Sequence, residues 1–131
     1  MAETMTSGVH HVGLSVGRLE ATAGFFTGVL GWQEVRRDPV HPAVFVSDGQ
    51  VMISLWGLPE ARAFDFRAAV GLHHLALQVA SEAALQAVYQ RLSQAPDVRI
   101  EFAPEQLRQG PARHMMCYEP SGIRLEFIWP G

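Results

Sequence analysis

The chain has 131 residues, 48% of them hydrophobic and 18% charged, with a formal net charge of −3. That length and apolar content suit one domain with its own core and exclude a disordered chain. The acidic excess argues against a nucleic-acid binder, and no apolar run reaches the ~18 residues of a membrane span. Residues 1–8 lack the basic and apolar regions of a secretory signal. One cysteine, Cys117 in the apolar run Met115-Met116-Cys117-Tyr118, gives no disulfide framework and reads as a packed thiol. A reducing, cytoplasmic setting is expected.

In chain order, the alternation of residues 9–16 predicts a strand. Leu19, Ala23, Phe26 and Leu30 recur at helical spacing and predict a helix over 19–30, stopped by Gly31. Short strands follow at about 33–37, 43–47 and 51–56, the last two joined by the turn signal Asp48-Gly49. Residues 59–70 mix Pro, Arg and Asp with scattered Phe and Ala and read as a connector. Residues 72–79 alternate again. A helix over 81–94 opens on Ser81 as N-cap, with Ala84, Leu85, Val88 and Leu92 on one face. The last strands fall near 98–103, 112–118 and 123–129, with a turn at Pro120-Ser121-Gly122 and a polar, mobile loop over 104–111.

The two halves repeat. Val-His-His-Val-Gly-Leu-Ser-Val at 9–16 matches Leu-His-His-Leu-Ala-Leu-Gln-Val at 72–79, an offset of 63 residues between His11 and His74. The expected fold is therefore α+β: two βαβββ modules in one domain over 1–131, with helices on the outer face of each sheet. Module 1 covers about 8–57, the connector about 58–70 and module 2 about 71–131.

Successive strand side chains point to opposite faces, and the helix covers the apolar one. Val12, Leu14 and Val16 then face the helix, with His10, and Leu75, Leu77 and Val79 do so with His73. His10 and His73 read as structural residues packing at the sheet edges. The open faces carry His11, His74 and Glu126, with small residues beside both histidines. Met52, Ser54 and Trp56 share that side in module 1, and Gln78, Met116 and Arg124 in module 2. Two neutral imidazoles and a carboxylate suit Fe2+, Mn2+, Ni2+ or Zn2+ and leave positions vacant for a substrate. His114 shares a face with Met116 and is a candidate general base or extra ligand. Arg124 has two candidate partners, a substrate anion or a nearby carboxylate, Glu101 or Glu119. Phe45 and Trp129 are further cavity candidates.

Four segments carry a family resemblance across nearly the whole chain: 11–16, 25–32 (Phe-Phe-Thr-Gly-Val-Leu-Gly-Trp), 74–79 and 119–127 (Glu-Pro-Ser-Gly-Ile-Arg-Leu-Glu-Phe). The last is similar to an Asp-Pro-x-Gly-x-x-x-Glu signature. The chain resembles the vicinal oxygen chelate superfamily, which includes glyoxalase I, bleomycin-resistance proteins, fosfomycin-resistance enzymes, methylmalonyl-CoA epimerase and ring-cleaving dioxygenases. The resemblance implies cupped mixed sheets and a divalent metal on His11, His74 and Glu126. It implies a small substrate with vicinal oxygens and a homodimer sharing its site between chains, with Phe127 and Trp129 near the contact. Where glyoxalase I and the epimerase carry a fourth ligand, this chain has Ser54. Where the dioxygenases carry a catalytic Tyr, it has Met116, and it lacks the longer tail of the fosfomycin enzymes. A metal-free protein that sequesters a small molecule, as bleomycin-resistance members do, is the alternative to an enzyme.

Overall fold

The computed structural model describes residues 3–131, so the expected start of the domain at Met1 lies outside the described residues. Two four-stranded mixed sheets form. In the first, β1 (His11–Val16), β4 (Met52–Gly57), β3 (Ala43–Ser47) and β2 (Gln33–Asp38) lie in that order. In the second the order is β5 (Leu75–Gln78), β8 (Arg124–Trp129), β7 (Arg113–Tyr118) and β6 (Arg99–Gln106). β1 runs parallel to β4 and β5 parallel to β8, while the remaining pairs are antiparallel. Each half is thus βαβββ, as the repeat predicts.

The registers make the duplication quantitative. Gly13, two residues after His11, pairs with Ser54; Ala76, two residues after His74, pairs with Glu126. Ser54 and Glu126 are therefore equivalent positions. β1 and β5 are edge strands, each hydrogen-bonded on one side only.

The first helix departs from expectation. α1 (Leu19–Gly24) is regular, but Phe25–Val29 widens into a π-helical turn, with Leu30 N donating to Phe25 O at 3.1 Å. An α-helix rotates about 100° per residue and would swing one of two consecutive aromatics toward water. Widening the turn lets Phe25 and Phe26 both enter the core, at 2% and 0% exposure. Helix α2 (Glu82–Gln94) starts where predicted, its N-cap Ser81 Oγ accepting from Ala84 N at 2.9 Å. Leu85 and Leu92 are buried, and both helices join one core with Leu14, Ile53, Leu55, Met115, Leu125 and Phe127.

Other boundaries shift. Residues 104–111 are not all loop, because β6 runs through Pro104 to Gln106. Pro104 is tolerated because β6 is an edge strand whose ladder slips between Ile100 and Glu105. β1 and β5 begin at His11 and Leu75, so His10, His73 and His74 precede their strands. His10 and His73 are exposed, so neither is covered at its sheet edge as expected, although His73 meets the Phe66 ring. Each instead places its Nδ1 against that of the following histidine, at 2.9 and 2.8 Å.

A buried polar knot ties the modules together. Glu119 Oε2 accepts from Thr22 Oγ1 at 2.6 Å, while Oε1 accepts from the backbone of Ser121 and Ile123 at 2.8 and 3.1 Å. Ser121 Oγ also lies 2.6 Å from Thr22 Oγ1 and accepts from Arg18 N at 3.1 Å. Burial pushes the Glu119 carboxyl above its usual range, against these bonds, which favour the ionised form. The connector joins at the same turn through Phe64 N, which donates to Ser121 O. Gly122 has a φ of +92°, and a side chain there would stand 2.5 Å from Phe64 O, so only glycine fits. Among the described residues no helix is long and apolar enough to cross a membrane.

Candidate metal and substrate site

On the open face of the second sheet, register places Glu126 beside Ala76 on one side and Met116 on the other. Ala76 leaves room for His74, whose Nε2 lies 3.4 Å from Glu126 Oε1. Two donors about 2.1 Å from one tetrahedral cation stand about 3.4 Å apart, so this spacing fits a shared ion. The other oxygen, Oε2, lies 2.5 Å from His114 Nδ1. Glu126 and His114 are 12% and 13% exposed at their side chains, and His74 36%, which leaves one side of the cluster open to solvent.

His11 is elsewhere. It opens β1 on the first sheet, is exposed, and touches the ring of His10. Among the described residues no three His, Cys, Asp or Glu side chains converge as a metal site. One chain therefore brings together His74, Glu126 and His114 and leaves His11 apart from them. The donor chemistry still fits a first-row divalent ion at His74 and Glu126, with two further ligands to come from outside that pair.

The remaining expected pocket residues divide. Ser54 is 2% exposed; its Oγ accepts from Trp56 Nε1 at 3.0 Å, and a side chain at Gly13 would stand 3.2 Å from it. Ser54 is thus held by Trp56 rather than offered to a ligand. Trp56 is 43% exposed and meets Phe45 edge-on. Met116 is buried beside Glu126, and Met52 is half-buried opposite His11. Arg124 is committed: Nε and Nη2 donate to Glu101 at 2.8 and 2.7 Å. With Tyr118 Oη also donating to Glu101 at 2.6 Å, the carboxyl is held down at about 2, chiefly by Arg124. Of the two partners open to Arg124, the structure selects the carboxylate. Phe127 is 3% exposed in the core, so it does not stand at a surface contact. Cys117 is fully buried, and burial pushes its thiol up to about 12, an inert packed residue as expected.

Sequence reading missed Phe66. The connector folds back so that its ring meets His73 at 4.9 Å, stacks on Tyr118 at 6.5 Å and lies under the Arg124 guanidinium at 4.4 Å. It thereby walls the end of the open face next to His74. An aromatic within a polar connector was the only available signal. A cavity of about 630 Å3 lies between the modules, its walls mixing aliphatic side chains such as Val12, Ile53 and Leu77 with the polar Asp48, Gln50 and Gln78. It contains neither His74 nor Glu126 in its walls.

The family model for the Glyoxalase/Bleomycin resistance protein/Dioxygenase superfamily matches residues 8–127. A glyoxylase/bleomycin resistance protein/dioxygenase domain from Frankia sp. EAN1pec has a TM-score of 0.82 at 26% identity, covering 96% of this chain and 99% of that one. The fosfomycin resistance protein FosX from Listeria monocytogenes gives 0.76 at 20% identity, covering 97% and 96%. A lactoylglutathione lyase from Agrobacterium tumefaciens gives 0.74 at 21%, covering 96% of each chain. The last two similarities speak for the fold alone. No curated protein matches the chain significantly.

Proposed function

Since the chain belongs to the Glyoxalase/Bleomycin resistance protein/Dioxygenase superfamily, we propose that it is a metalloenzyme acting on a small substrate with two neighbouring oxygens. Its site would form between two copies of the chain, with His74 and Glu126 of one and His11 of the partner subunit as ligands. The observation that supports this reading is the open donor pair: His74 Nε2 and Glu126 Oε1 stand 3.4 Å apart with solvent on one side. His11 is exposed at the start of an edge strand, and among the described residues its ring contacts His10. A second copy is the simplest source of the missing imidazole, because a two-fold dimer supplies the same patch twice.

A bound divalent ion (Fe2+, Mn2+, Ni2+ or Zn2+) would supply Lewis acidity toward an oxygen on which charge develops. The chain's own residues do the rest. Met116 and Phe102 make an apolar floor beside Glu126, and Phe66 closes the end next to His74. Gln78 offers an exposed amide to a polar substrate group. His114 donates through Nδ1 to Glu126, which leaves its Nε2 lone pair free to take a proton. A cytoplasmic setting suits a chain with one unpaired cysteine.

The second reading is a metal-free protein that sequesters an apolar molecule. The mainly apolar cavity of about 630 Å3 between the modules favours it, being of ligand size. Elemental analysis of the untagged protein beside His11→Ala separates the two. Near-stoichiometric metal that falls in the variant supports the metalloenzyme. Nickel or zinc would then point to proton-transfer or hydrolytic chemistry, and iron or manganese to oxygen chemistry. Absence of metal after soaking with each ion in turn, or a monomeric mass by light scattering at micromolar concentration, contradicts the shared site.

A further inference from the structure

Glu126 stands between two imidazoles and uses a different oxygen toward each: Oε2 toward His114 Nδ1 at 2.5 Å and Oε1 toward His74 Nε2 at 3.4 Å. A carboxylate only accepts, so the Nδ1–H of His114 is the donor. The two side chains are 13% and 12% exposed, and water competes weakly for the bond. The His114 ring is itself held, with Phe102 edge-on at 5.0 Å and Ile128 opposite in the ladder. Module 1 has no counterpart, since Ser54 occupies the position equivalent to Glu126 and Trp56 takes its hydroxyl.

We propose that His114 is a positioning residue that makes Glu126 a one-oxygen metal donor. With Oε2 tied to His114, only Oε1 is turned toward His74. A carboxylate fixed in this way fills one coordination position instead of two. The position saved stays open, and two open positions are what a substrate needs to bind through neighbouring oxygens. The inference rests on the metal-site reading above and deepens it, because it explains how three protein ligands leave room for a chelating substrate.

Asparagine tests the role, because its side-chain amide nitrogen is two bonds from Cβ, as His114 Nδ1 is. Cobalt(II) is titrated into the wild type, His114→Ala, His114→Asn and Glu126→Ala, with calorimetry for affinity and the visible spectrum for coordination number. Circular dichroism checks each fold. His114→Ala should bind cobalt about 10- to 100-fold more weakly, with a weaker visible band as Glu126 supplies its second oxygen. His114→Asn should recover affinity to within about threefold of the wild type, because the orienting hydrogen bond is kept. Glu126→Ala should not bind. If cobalt binds the wild type, is lost in Glu126→Ala and is unchanged in His114→Ala, the positioning role is overturned and the metal site stands. His114→Asn as weak as His114→Ala also overturns it, since the ring and not its N–H would then matter. A wild type that binds no cobalt overturns the metal site and this role together.

Discussion

The two modules share a fold and differ in chemistry. Both carry a double histidine, a parallel pair at one edge and a helix over the apolar face. In module 2, Glu126 stands between two histidines, 3.4 Å from His74 Nε2 and hydrogen-bonded to His114. In module 1, the equivalent of Glu126 is Ser54, and His11 is left with a solvent-facing ring. Duplication fixes the scaffold because the apolar face must be kept in both copies for either to fold. The open face carries no such constraint, so one half can hold the carboxylate while the other contributes an imidazole alone.

The largest effects should fall on what the modules share. Ile53 and Leu125 are equivalent positions, at 1% and 0% exposure. Each truncated to alanine should cost about 2–5 kcal/mol in chemical denaturation. A much smaller cost in one of them would break the equivalence of the halves. Next comes the difference between the open faces. Glu126→Ala should weaken metal binding by at least about 100-fold, while Ser54→Ala should leave it unchanged within error, both read by calorimetry.

A third effect concerns the end of the second sheet that Phe66 covers. Glu101 is held at about 2 by Arg124, below its unfolded value of 4.5. A depressed carboxyl contributes stability that is present above pH 4.5 and is lost as pH falls toward 2. Arg124→Ala should cost about 1–3 kcal/mol at neutral pH and flatten the loss of stability between pH 4.5 and 2. An unchanged acid slope would show that Arg124 and Glu101 are not coupled. Smallest is Phe66→Leu, expected to change stability by about 1 kcal/mol while altering substrate or inhibitor preference, since the ring lies at the mouth and not in the core.

Much of this was legible in the sequence because alternation and helical spacing report burial directly. The repeat at 9–16 and 72–79 gave the two modules, and alternation placed Glu126 on the same face as Met116 and His114. Features set by the assembled fold were not legible. The π-helical turn arises because Phe25 and Phe26 both need burial, which spacing alone does not reveal. The strand through Pro104 depends on β6 being an edge, a property of the whole sheet. The choice of Glu101 by Arg124, and the return of Phe66 onto Tyr118, are contacts between segments far apart in the chain. Likewise, sharing a face type put His11 with His74 and Glu126 in the same expectation, but alternation does not say that two sheets bring those faces together.

The most direct test of the shared site is complementation between two broken chains. His11→Ala keeps His74 and Glu126, and Glu126→Ala keeps His11. If each site takes His11 from the partner subunit, a mixed dimer rebuilds one intact site and breaks the other twice. Unfolding and refolding the variants together should then restore about one quarter of the wild-type metal capacity, since random pairing makes half the dimers mixed. Either variant refolded alone should bind none at the same metal concentration. Recovery in the mixture supports the shared site; a mixture that binds no more than the variants alone contradicts it.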